Sequence, residues 1–85
     1  MKGGIFILIP IVDVKLTGRN IATLRTKRGI TVRELQRMLG FATPQSIYKW
    51  QRGESLPTIE NLAALACILA VPIEQILVVE CYRTD

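Results

Sequence analysis

Gln45, Ser46, Tyr48 and Lys49 crowd into residues 44–51, and each ends in a group that can donate or accept a hydrogen bond. A side-chain amide such as that of Gln45 can meet adenine through two hydrogen bonds. An ammonium such as that of Lys49 can donate to guanine, and a hydroxyl such as that of Ser46 serves either base. This is chemistry for reading base edges, provided the four side chains share one exposed face. Ile47 and Trp50, three residues apart, are the apolar members of the segment and are expected to face a core. Tyr48 has two readings, toward DNA or against the neighbouring turn, and is assigned to the DNA face.

Arg19, Arg25, Arg33, Arg37 and Arg52 supply guanidinium groups suited to phosphate oxygens, and Thr43 adds a hydroxyl at the start of the same segment. Such contacts would carry most of the affinity and its salt dependence. The net charge is +4, unevenly spread: residues 1–53 hold ten Lys or Arg and two acids, residues 54–85 one Arg and five acids. A basic half and an acidic half point to one face for a polyanion and another turned elsewhere.

Other chemistries are thinly provided. There is no histidine, which removes the commonest general base, the commonest metal ligand and every His-dependent triad. Cys67 and Cys81 form no C-x-x-C pair, so neither a metal site nor a disulfide framework is expected. The reading is two free thiols in a reducing cytoplasm, with Cys67 a small core residue. No cofactor, no metal and no turnover are expected. The most apolar run, residues 5–12, is too short to span a bilayer as a helix. It follows Lys2 as a signal sequence would, but no small-residue cleavage site comes after it. It is therefore read as structure, and no membrane role is assigned.

The elements that must position these residues follow from capping and periodicity. Residues 17–28 read as a first helix, capped by Thr17, ended by Gly29 and turning Ile21, Ala22 and Leu24 inward. Thr31 and Glu34 form a capping box that opens a second helix. Val32, Leu35 and Met38 or Leu39 make its apolar stripe, and Gly40 stops it. A turn at residues 41–43 leads to a third helix, with Thr43 as N-cap and Pro44 at the first helical position. Thr58 caps a fourth helix, which Ile59, Leu62, Ala63, Leu65, Ala66 and Leu69 make the most apolar and which is therefore expected to be central. Pro72 opens a short fifth helix with Ile76 and Leu77 inward. Residues 5–12 and 76–82 have strand character, and Pro10 restricts the first to an edge or an end. Two outcomes are open: the terminal strands pair with each other, within a chain or between two, or the N-terminal run packs on the helices.

Two short helices at 31–39 and 44–51, joined by a tight turn, have the spacing of a helix-turn-helix. The first braces on the backbone and the second presents its N-terminal residues to the major groove. The helix starts near Thr31 and Thr43 can also receive phosphate oxygens. Residues 17–78 resemble the Cro and phage-repressor type of helix-turn-helix, a large family of bacterial and phage transcriptional regulators (xenobiotic-response-element type). The resemblance rests on Ile21, Leu24, Arg25 and Gly29; on Thr31, Leu35 and Leu39-Gly40; on Ile47, Trp50, Arg52-Gly53 and Pro57; and on Leu62, Leu65-Ala66 and Ile76-Leu77. The stretch from Ile47 to Pro57 carries it furthest. Three departures stand out. Thr31-Val32 replaces the usual Ser-Gln, leaving Arg33 to replace a phosphate contact. The turn is one residue longer, through Ala42. Gln51 stands where Glu is usual, which is expected to remove an ion-pair or hydrogen-bond partner.

The expected fold is mainly α: five helices of the phage-repressor DNA-binding type, with room for short β-strands at both termini. The expected organisation is an N-terminal extension at 1–16, a DNA-binding domain at 17–78 and a tail at 79–85. The resemblance implies a cytoplasmic transcriptional regulator, more often a repressor, that binds an inverted-repeat operator in double-stranded DNA as a homodimer. The rival reading is an antitoxin or adaptor that uses the same fold, with its apolar termini, to hold a protein partner.

Overall fold

Apolar residues recurring every three or four positions give each helix one buried stripe, and the stripes meet in one core. In the computed structural model, which describes residues 7–84, the order is β1 (Ile7–Val12), α1 (Val14–Lys27), α2 (Val32–Leu39), α3 (Gln45–Gln51) and α4 (Ile59–Leu69). A single 3-10 turn (Ile73–Gln75) and β2 (Val79–Thr84) follow. The core comprises Ile21, Leu35, Ile47, Trp50, Leu62, Leu65, Leu69 and Ile76. Each such side chain contributes about 1.5–3 kcal/mol by leaving water.

α1 begins three residues before the position read from the sequence. Asp13, not Thr17, is its N-cap: the Asp13 carboxylate accepts from the Leu16 amide at 2.9 Å. Thr17 is fully buried instead, and its hydroxyl accepts from the Val78 amide at 3.0 Å. The physical reason is the fate of Val78: its amide lies at the junction of helix and ribbon and would otherwise lack a partner. Asp13 donates to the Val78 carbonyl at 2.8 Å beside it, so one junction ties both terminal strands to the helical body.

The capping box of α2 forms as expected. The Glu34 amide donates to the Thr31 hydroxyl at 3.1 Å, and the Thr31 amide donates to the Glu34 carboxylate at 2.8 Å. These bonds hold the Glu34 carboxyl below its ordinary value of 4.5. A depressed carboxylate stabilises the fold above its unfolded pKa, and that contribution fades as pH falls through the folded value. Wild type should therefore lose stability below about pH 4.5 more steeply than Glu34→Gln, as thermal melts at stepped pH would show. Equal slopes would remove the capping box as the cause. Leu39, half-buried, completes the stripe of α2, whereas Met38 is exposed. Gly40 ends the helix in the left-handed region at φ 73°, where a side chain would be strained.

Thr58 caps α4 by accepting from the Asn61 amide at 3.2 Å. Ile59, which a central helix would bury, is 81% exposed, and Ala63 and Cys67 are exposed too. The buried set is Leu62, Leu65 and Leu69, so one narrow stripe suffices and Cys67 falls on the outer face. The fifth helix is reduced to the 3-10 turn, leaving four α-helices among the described residues. Its extension is cut short because Ile76 is anchored in the core and Asn20 donates to its carbonyl at 3.2 Å. The chain then runs extended through Val78 into β2.

The terminal strands pair within the chain as an antiparallel two-stranded ribbon, from Ile7 opposite Thr84 to Val12 opposite Val79. The N-terminal residues of the apolar run read as strand, Ile5 and Phe6, lie outside the described residues. Since Asp13 donates to Val78, hydrogen-bonded pairs recur at Ile11–Glu80 and Ile9–Tyr82. Pro10 falls opposite Cys81 in the intervening class of pair, where the ladder never calls on an amide from β1. The molecule is elongated, 54 × 23 × 20 Å, with a radius of gyration of 15.6 Å against about 12 Å for a compact chain of its length.

Candidate nucleic-acid interface

α3 is short and gains its orientation from two anchors rather than from its caps. Ile47 is fully buried and Trp50 nearly so. The Trp50 ring meets Phe41 edge-on, with centroids 5.8 Å apart and planes at 68°. On the other side α1 comes so close that Gly18 is needed: a Cβ there would lie 1.8 Å from the Trp50 carbonyl oxygen. α3 is thus clamped between the turn that precedes it and the backbone of α1. Neither Gly18 nor Asn20 stands out in the sequence, because a glycine inside a helix and a polar residue on its flank carry no periodic signal.

The start of α3 differs from the expectation. Its first helical residue is Gln45, Pro44 occupies the cap position, and no side chain caps it. The chain bends through Ala42–Pro44 instead of running extended, and a hydroxyl cap needs an extended residue next to the helix. Thr43 is therefore exposed and makes no cap.

With Ile47 and Trp50 inside, Gln45, Ser46, Tyr48 and Lys49 are all exposed. Thr43, Pro44, Gln45, Tyr48 and Arg52 line one shallow groove, which brings two of the base-reading candidates together with two of the phosphate candidates. Arg52 caps the far end of α3 and forms a two-point ion pair with Glu54, Nε to Oε2 at 2.5 Å and Nη2 to Oε1 at 3.3 Å. The pairing raises the Arg52 pKa and holds the Glu54 carboxyl below its ordinary value; Lys49 adds to the latter effect. A phosphate at Arg52 would have to share the guanidinium with Glu54.

The other arginines divide into two kinds. Arg19 on α1 and Arg33 and Arg37 on α2 are exposed. Arg25 is half-buried: its Nε donates to Gln51 Oε1 at 3.0 Å and its Nη1 to the Ile30 carbonyl at 2.9 Å. The expected loss of a partner at Gln51 does not occur, since an amide oxygen accepts from Arg25 as a carboxylate would. The bond links α1 to the end of α3. Arg28 likewise donates to the Leu69 carbonyl at 3.0 Å, satisfying the end of α4.

Among the described residues no group of His, Cys, Asp and Glu is placed to hold a metal, and no helix is long and apolar enough to cross a membrane. No curated protein matches the chain. Solved structures do. The restriction-modification controller protein C.AhdI from Aeromonas hydrophila superposes with a TM-score of 0.68 at 22% identity, over 75% of this chain and 96% of that one. The S. venezulae BldD DNA-binding domain gives 0.65 at 22% identity, over 78% and 97%. The clp gene regulator ClgR from Corynebacterium glutamicum gives 0.67 at 22% identity, over 73% and 65%. At these identities the likeness establishes the fold. The sequence profile of the helix-turn-helix family matches residues 21–76, a span that runs from the first core residue of α1 to Ile76 and includes both helices of the motif. The chain belongs to the Cro/C1-type helix-turn-helix family.

Proposed function

We propose that the protein is a cytoplasmic, nucleoid-associated transcriptional regulator, acting as a repressor, that binds an inverted-repeat operator as a homodimer. The observation that carries this reading is the exposure of Gln45, Ser46, Tyr48 and Lys49 on a helix whose opposite side is locked by Ile47 and Trp50. A fixed helix with a polar outer face can enter the major groove without reorganising. Arg19, Arg33 and Arg37, with Thr43 and Arg52 at the groove, would meet the backbone. Arg25 supports them from behind while its bonds to Gln51 and Ile30 persist. BldD carries a domain named as DNA-binding and ClgR is named a gene regulator; the same role is inferred here. Its work is binding, and no catalytic step is assigned.

The test separates base reading from phosphate contact. Gln45→Ala and Lys49→Ala should each cost about 1–3 kcal/mol on the preferred site and relax base preference there. Equal losses on random duplex would refute the base-reading assignment. Arg33→Ala should weaken binding to all sequences alike and flatten the plot of log affinity against log salt by about 0.9. A slope identical to wild type would take Arg33 off the DNA backbone.

An adaptor or antitoxin role draws on a specific observation, the exposed apolar side chains of the ribbon. It requires a different protein to co-purify at fixed stoichiometry, with α3 contributing nothing to DNA.

A further inference from the structure

Among the described residues, most side chains of the ribbon are left uncovered by the helical body. Ile7 and Leu8 are more than 60% exposed, and Ile9, Ile11, Val79 and Tyr82 are exposed as well. Both faces carry apolar side chains: Ile7, Ile9, Ile11 and Tyr82 on one, beside Glu80, and Leu8, Pro10, Val12, Val79 and Cys81 on the other, beside Arg83. A lone two-stranded ribbon is marginal in water. The accessible surface, 5809 Å², exceeds the roughly 5,000 Å² expected of a compact monomer of this mass.

The two outer edges of the ribbon differ. In its ladder the pairs Val12–Val79 and Pro10–Cys81 turn their backbone groups outward. On β1 the outward row is broken at Pro10, which has no amide proton. On β2 Val79 and Cys81 each present an amide and a carbonyl. Pro10 blocks one edge against pairing, and the other edge is left fit for it.

We infer that the outer edge of β2 pairs antiparallel with β2 of a second copy, making a continuous four-stranded sheet with the two-fold axis at Cys81. This names the partner surface of the dimer in the reading above and rests on that reading. Symmetry and the outward alternation allow only registers centred on a residue. Centring on Glu80 would set like charges opposite each other, which destabilises. Centring on Cys81 sets Glu80 opposite Tyr82 of the second copy, retains Val79 within the paired stretch and overlaps most of the strand. The helical bodies then extend from opposite ends of the sheet. With about 3.4 Å per strand residue and bodies some 20 Å thick, their centres fall on the order of 40 Å apart, close to one turn of DNA.

The register places the two Cys81 residues across the axis with Cα atoms about 5.5 Å apart. In the full chain carrying Cys67→Ser, the shortest bis-maleimide should link two copies through Cys81, and sedimentation should give a dimer. Cys81→Pro removes the outward amide at a pair that does not use it internally. It should halve the sedimenting mass while leaving the helical circular dichroism unchanged. A dimer that neither crosslinks nor responds to Cys81→Pro overturns the β2 edge and leaves operator reading intact. A monomer that binds DNA overturns both dimer and edge. A crosslinkable dimer with no affinity for DNA supports the edge and overturns the regulatory reading. Crosslinking stands as a measure of the edge even if proline melts the ribbon.

Discussion

Gly18→Ala should destabilise the protein by about 3 kcal/mol or more, against a helix propensity that favours alanine by about 1 kcal/mol. The sign of the effect is the point of interest. An isolated helix reading expects a gain, because glycine in a helix interior costs backbone entropy. The packing reading expects a large loss, because the new Cβ would sit 1.8 Å from the Trp50 carbonyl oxygen and 2.9 Å from its carbonyl carbon. Both atoms are backbone, so no side-chain rotation relieves the clash. α1 and α3 must part, and the Arg25–Gln51 bond that crosses the same interface must lengthen. For a domain of this size, 3 kcal/mol corresponds to a fall in Tm of roughly 12–24 °C. Thermal unfolding followed by circular dichroism measures it. A rise in Tm would mean that α1 and α3 are not in this contact.

Trp50→Ala should cost about 3–5 kcal/mol, with part of the loss arising from the edge-on contact with Phe41. Trp50 is one of two side chains that hold α3 against the core, so this loss should be accompanied by weaker DNA binding even where the protein remains folded. Tyr48→Ala provides the contrast. Tyr48 is exposed on the same helix, and its removal should change stability by less than about 0.5 kcal/mol while weakening operator binding. Chemical denaturation and a binding titration on both variants separate the two roles. If Tyr48→Ala lowered stability as far as Trp50→Ala, the assignment of inner and outer faces of α3 would be wrong.

Much of this arrangement is legible in the chain because it depends on local signals. The Thr31–Glu34 capping box, the left-handed Gly40, and the three-residue spacing of Ile47 and Trp50 each follow from short-range stereochemistry, and each is present. The exposed set on α3 follows from the same spacing. The features that depart from the sequence pattern depend on tertiary context. Thr17 looks like a cap in isolation, but the amide of Val78, 61 residues away, claims its hydroxyl, and Asp13 caps in its place. Ile59 and Cys67 look like core residues in an apolar helix, yet the remaining apolar surface is too narrow to bury them. The fifth helix fails because β2 pulls the chain out of helical geometry just after Ile76. Strand character at both termini is visible in composition, but composition leaves open whether the strands pair within a chain, between two, or pack on the helices; the intrachain ladder decides it. The clamp at Gly18 is the clearest omission: the need for a missing side chain can be seen only once the facing backbone is in place.

In-vitro selection from random duplex DNA with the purified protein at physiological salt tests the central claim most directly. The account predicts enrichment of an inverted repeat, with half-sites about one helical turn apart. The enrichment should be lost in the Gln45→Ala, Lys49→Ala double variant and retained in Arg33→Ala at reduced affinity. A pool that remains random after repeated rounds, with only weak salt-sensitive binding, would contradict it.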